Sequence, residues 1–171
     1  MEFKYNINKY GLFEITILSK DKKTDNMTEN NTEKKTIVTD GQDLAEKVED
    51  LKKNGVTDVT VVVNTFNHTK YKQSNGGKEL DPVIRGINRA EDAGMHITLH
   101  VGLEEGFNDD EVLDFLQLTL MYRYDIIFLP TMDYDKIKAK MPGLHKIDGE
   151  FGEVEMYKYA VAKGRIGFLK N

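Results

Sequence analysis

Residues 58–101 constrain the fold more than any other part of the chain. A run rich in β-branched residues, 58–63, leads into a polar loop, 64–78. A helix over 81–93 follows, with Asp and Pro at its start and Gly just after its end, and then a second strand, 96–101. Two strands joined through a helix are almost always parallel and form a right-handed crossover unit. The sequence therefore predicts an α/β fold.

The rest of the chain extends this unit on both sides. Before it, we expect a strand over 12–19 that returns at 36–38, and then a helix that Thr39 and Gln42 open as a capping box. That helix leads into the first strand of the unit, which spans 56–63 in full. After it, the pattern predicts a helix over 109–122 capped by Asn108 and Glu111, a strand over 125–129, a helix over 133–141 and strands over 144–147, 154–161 and 166–169. The prediction is a mainly parallel sheet with helices packed on it, ending in an antiparallel β-meander. We expect a single domain over 1–171 with a mobile polar insertion at about 20–35.

Composition excludes several classes of function. The net charge of −5 argues against a nucleic acid or an anionic membrane as partner. The absence of cysteine excludes disulfides, thiol nucleophiles, iron–sulfur clusters and thiolate zinc sites within these residues. We predict no cofactor and no metal site. Because no signal peptide and no apolar membrane span are evident, we expect a cytoplasmic protein.

Polar side chains follow three predicted strands at the points where those strands end. They are Asn64, Thr65, Asn67 and His68 after the first strand, His100, Glu104 and Glu105 at the end of the second, and Thr131 and Asp133 after the third. Ligands in parallel sheets gather outside the carboxyl ends of the strands, so we expect these groups to converge. The predicted catalytic residues are His100, Glu104 and Glu105, because imidazole and carboxylate groups suit general acid–base work. Asn64, Thr65, Asn67, His68 and Asp133 are the predicted ligand-binding residues, with Asp133 also suited to capping a helix.

The strand His96–Val101 places its two histidines and Thr98 on one face. A polar face is unexpected on a strand flanked by helices, since such strands are usually apolar on both sides. This face either meets water or lines a cavity. His100 lies near the carboxyl end, where sites form, whereas His96 lies at the opposite end and suits a structural role.

Two short segments resemble parts of known families. The stretch NGVTDVTVVVNTF…GKELDPVIRGINRAEDAGMHITLHVGLEEG, within residues 54–106, resembles consecutive β/α units of barrel glycoside hydrolases. That resemblance implies that Asn64 and His100 contact sugar and that Glu104 or Glu105 is catalytic. The tetrapeptide His96-Ile97-Thr98-Leu99 resembles the H-x-T motif of two-histidine phosphoesterases, which use two such motifs, of which this sequence has one.

Two functional hypotheses from different classes follow. The first is a small α/β domain with a polar ligand-binding or hydrolase-like site at the carboxyl edge of its sheet, acting on a small molecule. The second is a non-enzymatic interaction or inhibitor protein, for example of a phage or mobile element, which binds a protein partner through its acidic surface. Because the helix over 109–122 is apolar nearly all round, we also consider a homodimer.

Overall fold

A computed structural model of the chain describes residues 2–7, 13–18 and 34–170, and the strands in these residues form one sheet. The strands are β1 (Glu2–Ile7), β2 (Phe13–Leu18), β3 (Lys35–Thr39), β4 (Val56–Val62), β5 (His96–Val101), β6 (Asp125–Phe128), β7 (His145–Lys146), β8 (Val154–Lys158) and β9 (Arg165–Leu169). The helices are α1 (Leu44–Lys53), α2 (His68–Ser74), α3 (Asp81–Asp92), α4 (Val112–Met121) and α5 (Tyr134–Ala139), and a 3₁₀ turn, Asp109–Glu111, precedes α4.

The sheet has the order β1-β2-β3-β4-β5-β6-β9-β8-β7. Its centre, from β3 through β4, β5 and β6 to β9, is parallel. Antiparallel pairs flank this centre, with β1 and β2 on one side and β8 and β7 on the other. The predicted fold class is therefore confirmed: a mainly parallel sheet with helices packed on it and antiparallel strands at the end of the chain.

The structure corrects several of the predicted elements. No strand was expected before residue 12, yet the alternating hexapeptide EFKYNI forms β1. The predicted polar loop 64–78 contains α2, because the side chain of Asn67 accepts hydrogen bonds from the backbone N–H groups of Thr69 and Lys70. The predicted capping box of Thr39 and Gln42 is wrong, since Thr39 ends β3 and α1 begins only at Leu44.

Two predictions about organisation remain predictions. Residues 20–33 of the expected polar insertion lie outside the described residues, and its last residue, Lys35, begins β3. That residues 1–171 form a single domain also stays a prediction. No helix in the described ranges has the length and hydrophobicity needed to cross a bilayer, and the cytoplasmic location stays a prediction.

All helices of the described chain pack on the same face of the sheet. In β5, Ile97, Leu99 and Val101 are buried in one apolar cluster. Each of the helices α1 to α5 contributes buried side chains to that same cluster; they are Leu44, Val48, Leu51, Tyr71, Val83, Ile87, Ala90, Val112, Phe115 and Ile137. The alternate residues of β5 lie on the opposite face and are only half-buried.

We call this second side the polar face. The strand registers place three sets of residues on it: Asp58 beside His96; Thr60, Thr98, Asp125 and Arg165 in one row; and Val62, His100 and Ile127 in the next. The polar side of β5 therefore lies on a face that the described helices leave uncovered.

Candidate functional site

The loops that follow β4 and β5 are tied together by two asparagines. The side-chain oxygen of Asn64 accepts a hydrogen bond from the backbone N–H of Gly102 at 2.8 Å. The amide of Asn108, which is buried, donates to the backbone oxygens of Asn64 and Gly102 and accepts from the N–H of Glu104. Asn108 was predicted to cap the next helix, and that prediction is wrong because its side chain is committed to these loops.

A buried carboxylate, Glu111, holds the start of the segment that follows β4. Its oxygens accept hydrogen bonds from the hydroxyl of Thr65 at 2.7 and 2.8 Å and from the backbone N–H of Phe66 at 3.1 Å. Lys70 of α2 lies 3.2 Å from the same carboxylate. A hydrogen bond to Asp110, and then one to Glu111, raise the pKa of Lys70. Thr65 and Glu111 therefore anchor α2 against the start of α4.

The remaining predicted residues of the loop after β4, Asn67 and His68, lie at the start of α2. Asn67 caps that helix, as described above, and its backbone N–H donates to the hydroxyl of Thr65. His68 is exposed, and its Nδ1 lies 3.7 Å from a carboxylate oxygen of Asp81 at the start of α3. His68 is therefore paired with α3 in this structure.

An open cleft of about 550 Å³ lies beyond the carboxyl end of β6. Its polar lining comprises Thr131, Asp133, Tyr134, Asp135 and Lys138. The hydroxyl of Thr131 donates to the backbone oxygen of Leu103, which links the end of β6 to the loop after β5. Asp133 accepts a hydrogen bond from the N–H of Asp135, so the expected helix-capping role of Asp133 is confirmed.

Glu104 and Glu105 are both exposed in the loop after β5. Glu105 lies 3.2 Å from the ammonium group of Lys136 on α5. Neither carboxylate has a hydrogen bond or ion pair with His100 among the described residues. Three strand ends do converge, at Asn64, Gly102 and Thr131, but the predicted catalytic residues do not form one constellation.

His100 lies near the carboxyl end of β5 on the polar face. Its side chain has no hydrogen-bond partner in the described part of the chain. Burial lowers the pKa of its imidazole, so the ring is neutral at pH 7. Val62 and Ile127 are its cross-strand neighbours on that face. A neutral imidazole with one donor and one acceptor nitrogen is available here to a ligand.

A three-residue charge network lies two to four residues further toward the amino ends of the strands. Asp125 accepts hydrogen bonds from Nε and a terminal nitrogen of Arg165, at 2.9 and 2.5 Å, and lies 2.9 Å from Nε2 of His96. Burial alone would raise the pKa of Asp125, but the bonds from His96 and Arg165 outweigh it and lower that pKa. The Arg165 guanidinium also lies over the ring of Phe151, 5.6 Å from its centroid.

Four of these residues were not predicted from the sequence to be functional. Asn108 and Glu111 were interpreted as a helix cap, Asp125 as the first residue of a strand, and Arg165 as the last residue of the turn before the final strand. A signal was present for the last two, since each places a charge at the start of a strand that is otherwise apolar. Their pairing depends on β9 entering the sheet beside β6, which sequence patterns do not reveal.

The fold that carries these groups is a mainly parallel sheet with helices on one face and polar side chains on the other. The family model for the Radical SAM superfamily matches residues 5–119, which is more than half of the chain. The chain therefore belongs to the Radical SAM superfamily.

Three relatives of the chain share the name GTP 3',8-cyclase. GTP 3',8-cyclase of Peptoclostridium acidaminophilum is 32% identical over 152 residues, which cover 78% of this chain and 47% of that protein. The Listeria monocytogenes (serovar 1/2a) enzyme of the same name is 37% identical over 97 residues, which cover 56% of this chain and 29% of that protein. The Alkaliphilus metalliredigens enzyme is 28% identical over 149 residues, again 78% of this chain and 47% of that protein. The chain thus spans less than half the length of these relatives.

These matches overturn the functional hypotheses drawn from the sequence. The resemblances to barrel glycoside hydrolases and to two-histidine phosphoesterases are wrong, because both rested on short motifs that occur in many β/α proteins. The hydrolase-like function and the alternative of an inhibitor protein are also wrong, because the family match covers residues 5–119 and points to a different class.

The family implies a cofactor set that the residues of this chain do not fit. Radical chemistry in proteins is carried by groups such as S-adenosylmethionine and iron–sulfur clusters. Iron–sulfur clusters are held mainly by cysteine thiolates, and the 171 residues contain no cysteine. No group of three or more His, Asp or Glu side chains in the described ranges is placed to hold a metal ion either. These residues therefore provide no ligand set for a cluster.

Proposed function

We propose that the polar face of the sheet binds a guanosine nucleotide and that the chain is the nucleotide-binding part of a protein related to GTP 3',8-cyclases. The observation that carries this proposal is the uncovered polar face itself, in a chain whose relatives are named for a reaction of GTP. In a parallel sheet of an α/β domain both faces are normally covered, so a half-buried polar face is suited to a ligand.

The chemistry of this face suits a nucleotide. Thr98 and His100 present a hydroxyl and a neutral imidazole, which can pair with the polar edge of a base or with a ribose hydroxyl. Val62 and Ile127 flank His100; Val62 is exposed and offers apolar contact to the base, whereas Ile127 is buried. Arg165 has five N–H donors and Asp125 uses two of them, which leaves donors for a phosphate oxygen.

The proposal assigns binding to this chain and no radical step. Because no residue here can act as a thiolate ligand, we derive no reaction through a cluster. Catalytic roles for His100, Glu104 and Glu105 stay predictions, and so do ligand contacts by Asn64, Thr65, Asn67, His68 and Asp133. Of these residues, His100 has the most direct support, since it lies on the uncovered face with its imidazole unpartnered in the described part of the chain.

Isothermal titration calorimetry tests the proposal with four ligands: GTP, ATP, guanosine and S-adenosylmethionine. We expect GTP to bind, and Thr98→Val and His100→Ala each to weaken it about tenfold, the loss that one or two hydrogen bonds to a ligand would cause. His145→Ala is the matched control, because His145 is exposed in β7 and lies outside the polar face. Absence of GTP binding, or binding of S-adenosylmethionine alone, would overturn the assignment, and equal binding of ATP would overturn its guanine preference.

A further inference from the structure

A cleft of about 440 Å³ opens at the amino ends of β5 and β6, the end of the sheet opposite to the loops described above. Its walls come from the end of α3, the turn before β5 and the segment between α4 and β6. Its lining includes one group of aromatic and charged side chains: Glu91, Tyr122, Arg123, Tyr124 and Lys163. Pockets of this size hold small organic ligands, so the cleft has room for a molecule of one or two rings.

Two tyrosines form one wall of this cleft. The rings of Tyr122 and Tyr124 stack, with centroids 4.8 Å apart and planes 13° apart. Tyr124 is buried, and its hydroxyl donates a hydrogen bond of 2.6 Å to the carboxylate of Glu91. Burial and this hydrogen bond raise the pKa of Tyr124, so its phenol stays protonated and remains the donor. Tyr122 is only half-buried, and the cleft therefore has a fixed aromatic surface with part of one ring open.

Two cations border the same cleft without an acidic partner. Arg123 is exposed just before β6, and Lys163 is exposed just before β9; neither forms an ion pair within the ranges that the structure describes. The Lys163 ammonium donates to the backbone oxygen of Met121, which leaves two of its three N–H donors for a ligand. Glu91 is the acid of the described lining, and its carboxylate already accepts the bond from Tyr124. The cleft thus has one positive charge in excess, in a chain whose net charge is −5.

From this combination we infer that the cleft binds a planar aromatic carboxylate. The ring of the ligand stacks on the open part of Tyr122, and its carboxylate accepts hydrogen bonds from Arg123 and Lys163. A guanidinium group is suited to this contact, because it can donate two parallel N–H bonds to one carboxylate. A single negative charge balances the excess positive charge, whereas a phosphate monoester carries nearly two and would be repelled by Glu91. None of these side chains belongs to the polar face, so the inference does not depend on nucleotide binding.

Isothermal titration calorimetry with three aromatic carboxylates tests the inference: anthranilate, 4-hydroxybenzoate and indole-3-acetate. We expect at least one of them to bind saturably, one per chain, with a dissociation constant below about 1 mM. Cyclohexanecarboxylate keeps the charge but lacks the aromatic ring, and it should bind at least about tenfold more weakly. Phenyl phosphate keeps the ring but carries the larger charge, and it should bind no more tightly. Absence of binding by all three carboxylates would overturn the inference, as would equal binding of cyclohexanecarboxylate or tighter binding of phenyl phosphate.

Two variants place the ligand in this cleft. Arg123→Gln should weaken binding of the aromatic carboxylate about tenfold, because a charge-assisted contact is lost. Arg85→Gln is the matched control, since Arg85 is exposed on α3 outside the cleft. Tyr122→Leu should weaken the aromatic carboxylate by a similar factor but leave the binding of cyclohexanecarboxylate unchanged, and circular dichroism checks that this variant is folded. Unchanged affinity in Arg123→Gln, or an equal loss in Arg85→Gln, would overturn the site.

Discussion

Asp125 and Arg165 face each other across the parallel strands β6 and β9, and the guanidinium donates two hydrogen bonds to the carboxylate. His96, on β5, contacts the same carboxylate from the other side. One buried acid thus joins three neighbouring strands at the polar face. This arrangement gives the central part of the sheet a charged junction on the side where no described helix packs.

Removing the charge of Asp125 should destabilise the fold. In Asp125→Asn the amide retains one acceptor and places N–H groups toward Arg165 or His96, so charge-assisted bonds are lost. We expect the free energy of unfolding to fall by about 2 kcal/mol, which is typical for hydrogen bonds to charged groups. Urea unfolding followed by circular dichroism measures this change. Asp50→Asn, at an exposed position of α1, is the matched control and should change stability by less than about 0.5 kcal/mol.

The same carboxylate should contribute to acid unfolding. The pKa of Asp125 is lower in the folded chain than in the unfolded chain, so its contribution is complete above the unfolded value of about 3.9. That contribution is lost as the pH falls through the folded pKa. We therefore expect the difference in stability between wild type and Asp125→Asn to shrink as the pH drops below about 4. A difference that stays constant down to strongly acidic pH would contradict the assignment.

His100 should make the folded chain less stable as the pH falls, whereas a histidine paired with a carboxylate makes the folded chain more stable. Burial lowers its pKa, so protonation favours the unfolded chain, and its contribution is complete above the unfolded value of about 6.5. Stability should fall as the pH drops from there toward the folded pKa, by up to about 1.4 kcal/mol per pH unit. His100→Asn should flatten this slope, whereas His145→Asn should leave it unchanged. An unaltered slope in His100→Asn would show that the ring is not desolvated.

Asn108 should be essential to the loops at the carboxyl edge. In Asn108→Asp a carboxylate oxygen replaces the amide nitrogen that donates to the backbone oxygens of Asn64 and Gly102. We expect a loss of about 3 kcal/mol, since two part-buried acceptors lose their donor and face a carboxylate oxygen instead. Asn88→Asp, at an exposed position of α3, makes the same chemical change and should be nearly neutral. Thermal unfolding of both variants compares them, and equal melting temperatures would rule out this role.

The architecture was predictable because its signals are local. The apolar run after Asn54-Gly55, the Asp81-Pro82 helix start and the alternation of His96–Val101 each specify one element, and the crossover rule joins them. The strand order at the far side was not predictable, since β9 pairs with β6 across a 36-residue separation that no local pattern encodes.

The candidate site was predictable only in part, for a physical reason. Polar residues after a strand can either contact a ligand or satisfy the backbone of neighbouring loops, and the two uses look alike in sequence. Asn64, Thr65 and Asn67 are hydrogen-bonded within the protein, whereas His100 is not in the described part of the chain. Family membership was not predictable from the motifs considered, because the H-x-T tetrapeptide is too short to be specific.

The four histidines provide the most direct test of the nucleotide-binding proposal. His96 and His100 lie on the polar face, whereas His68 lies on α2 and His145 in β7. We would titrate the isotopically labelled chain with GTP and follow the imidazole resonances by NMR. If the polar face binds the nucleotide, we expect saturable shifts for His100 and His96 and none for His68 and His145. Shifts confined to His68 or His145, or no shift at saturating GTP, would contradict the proposal.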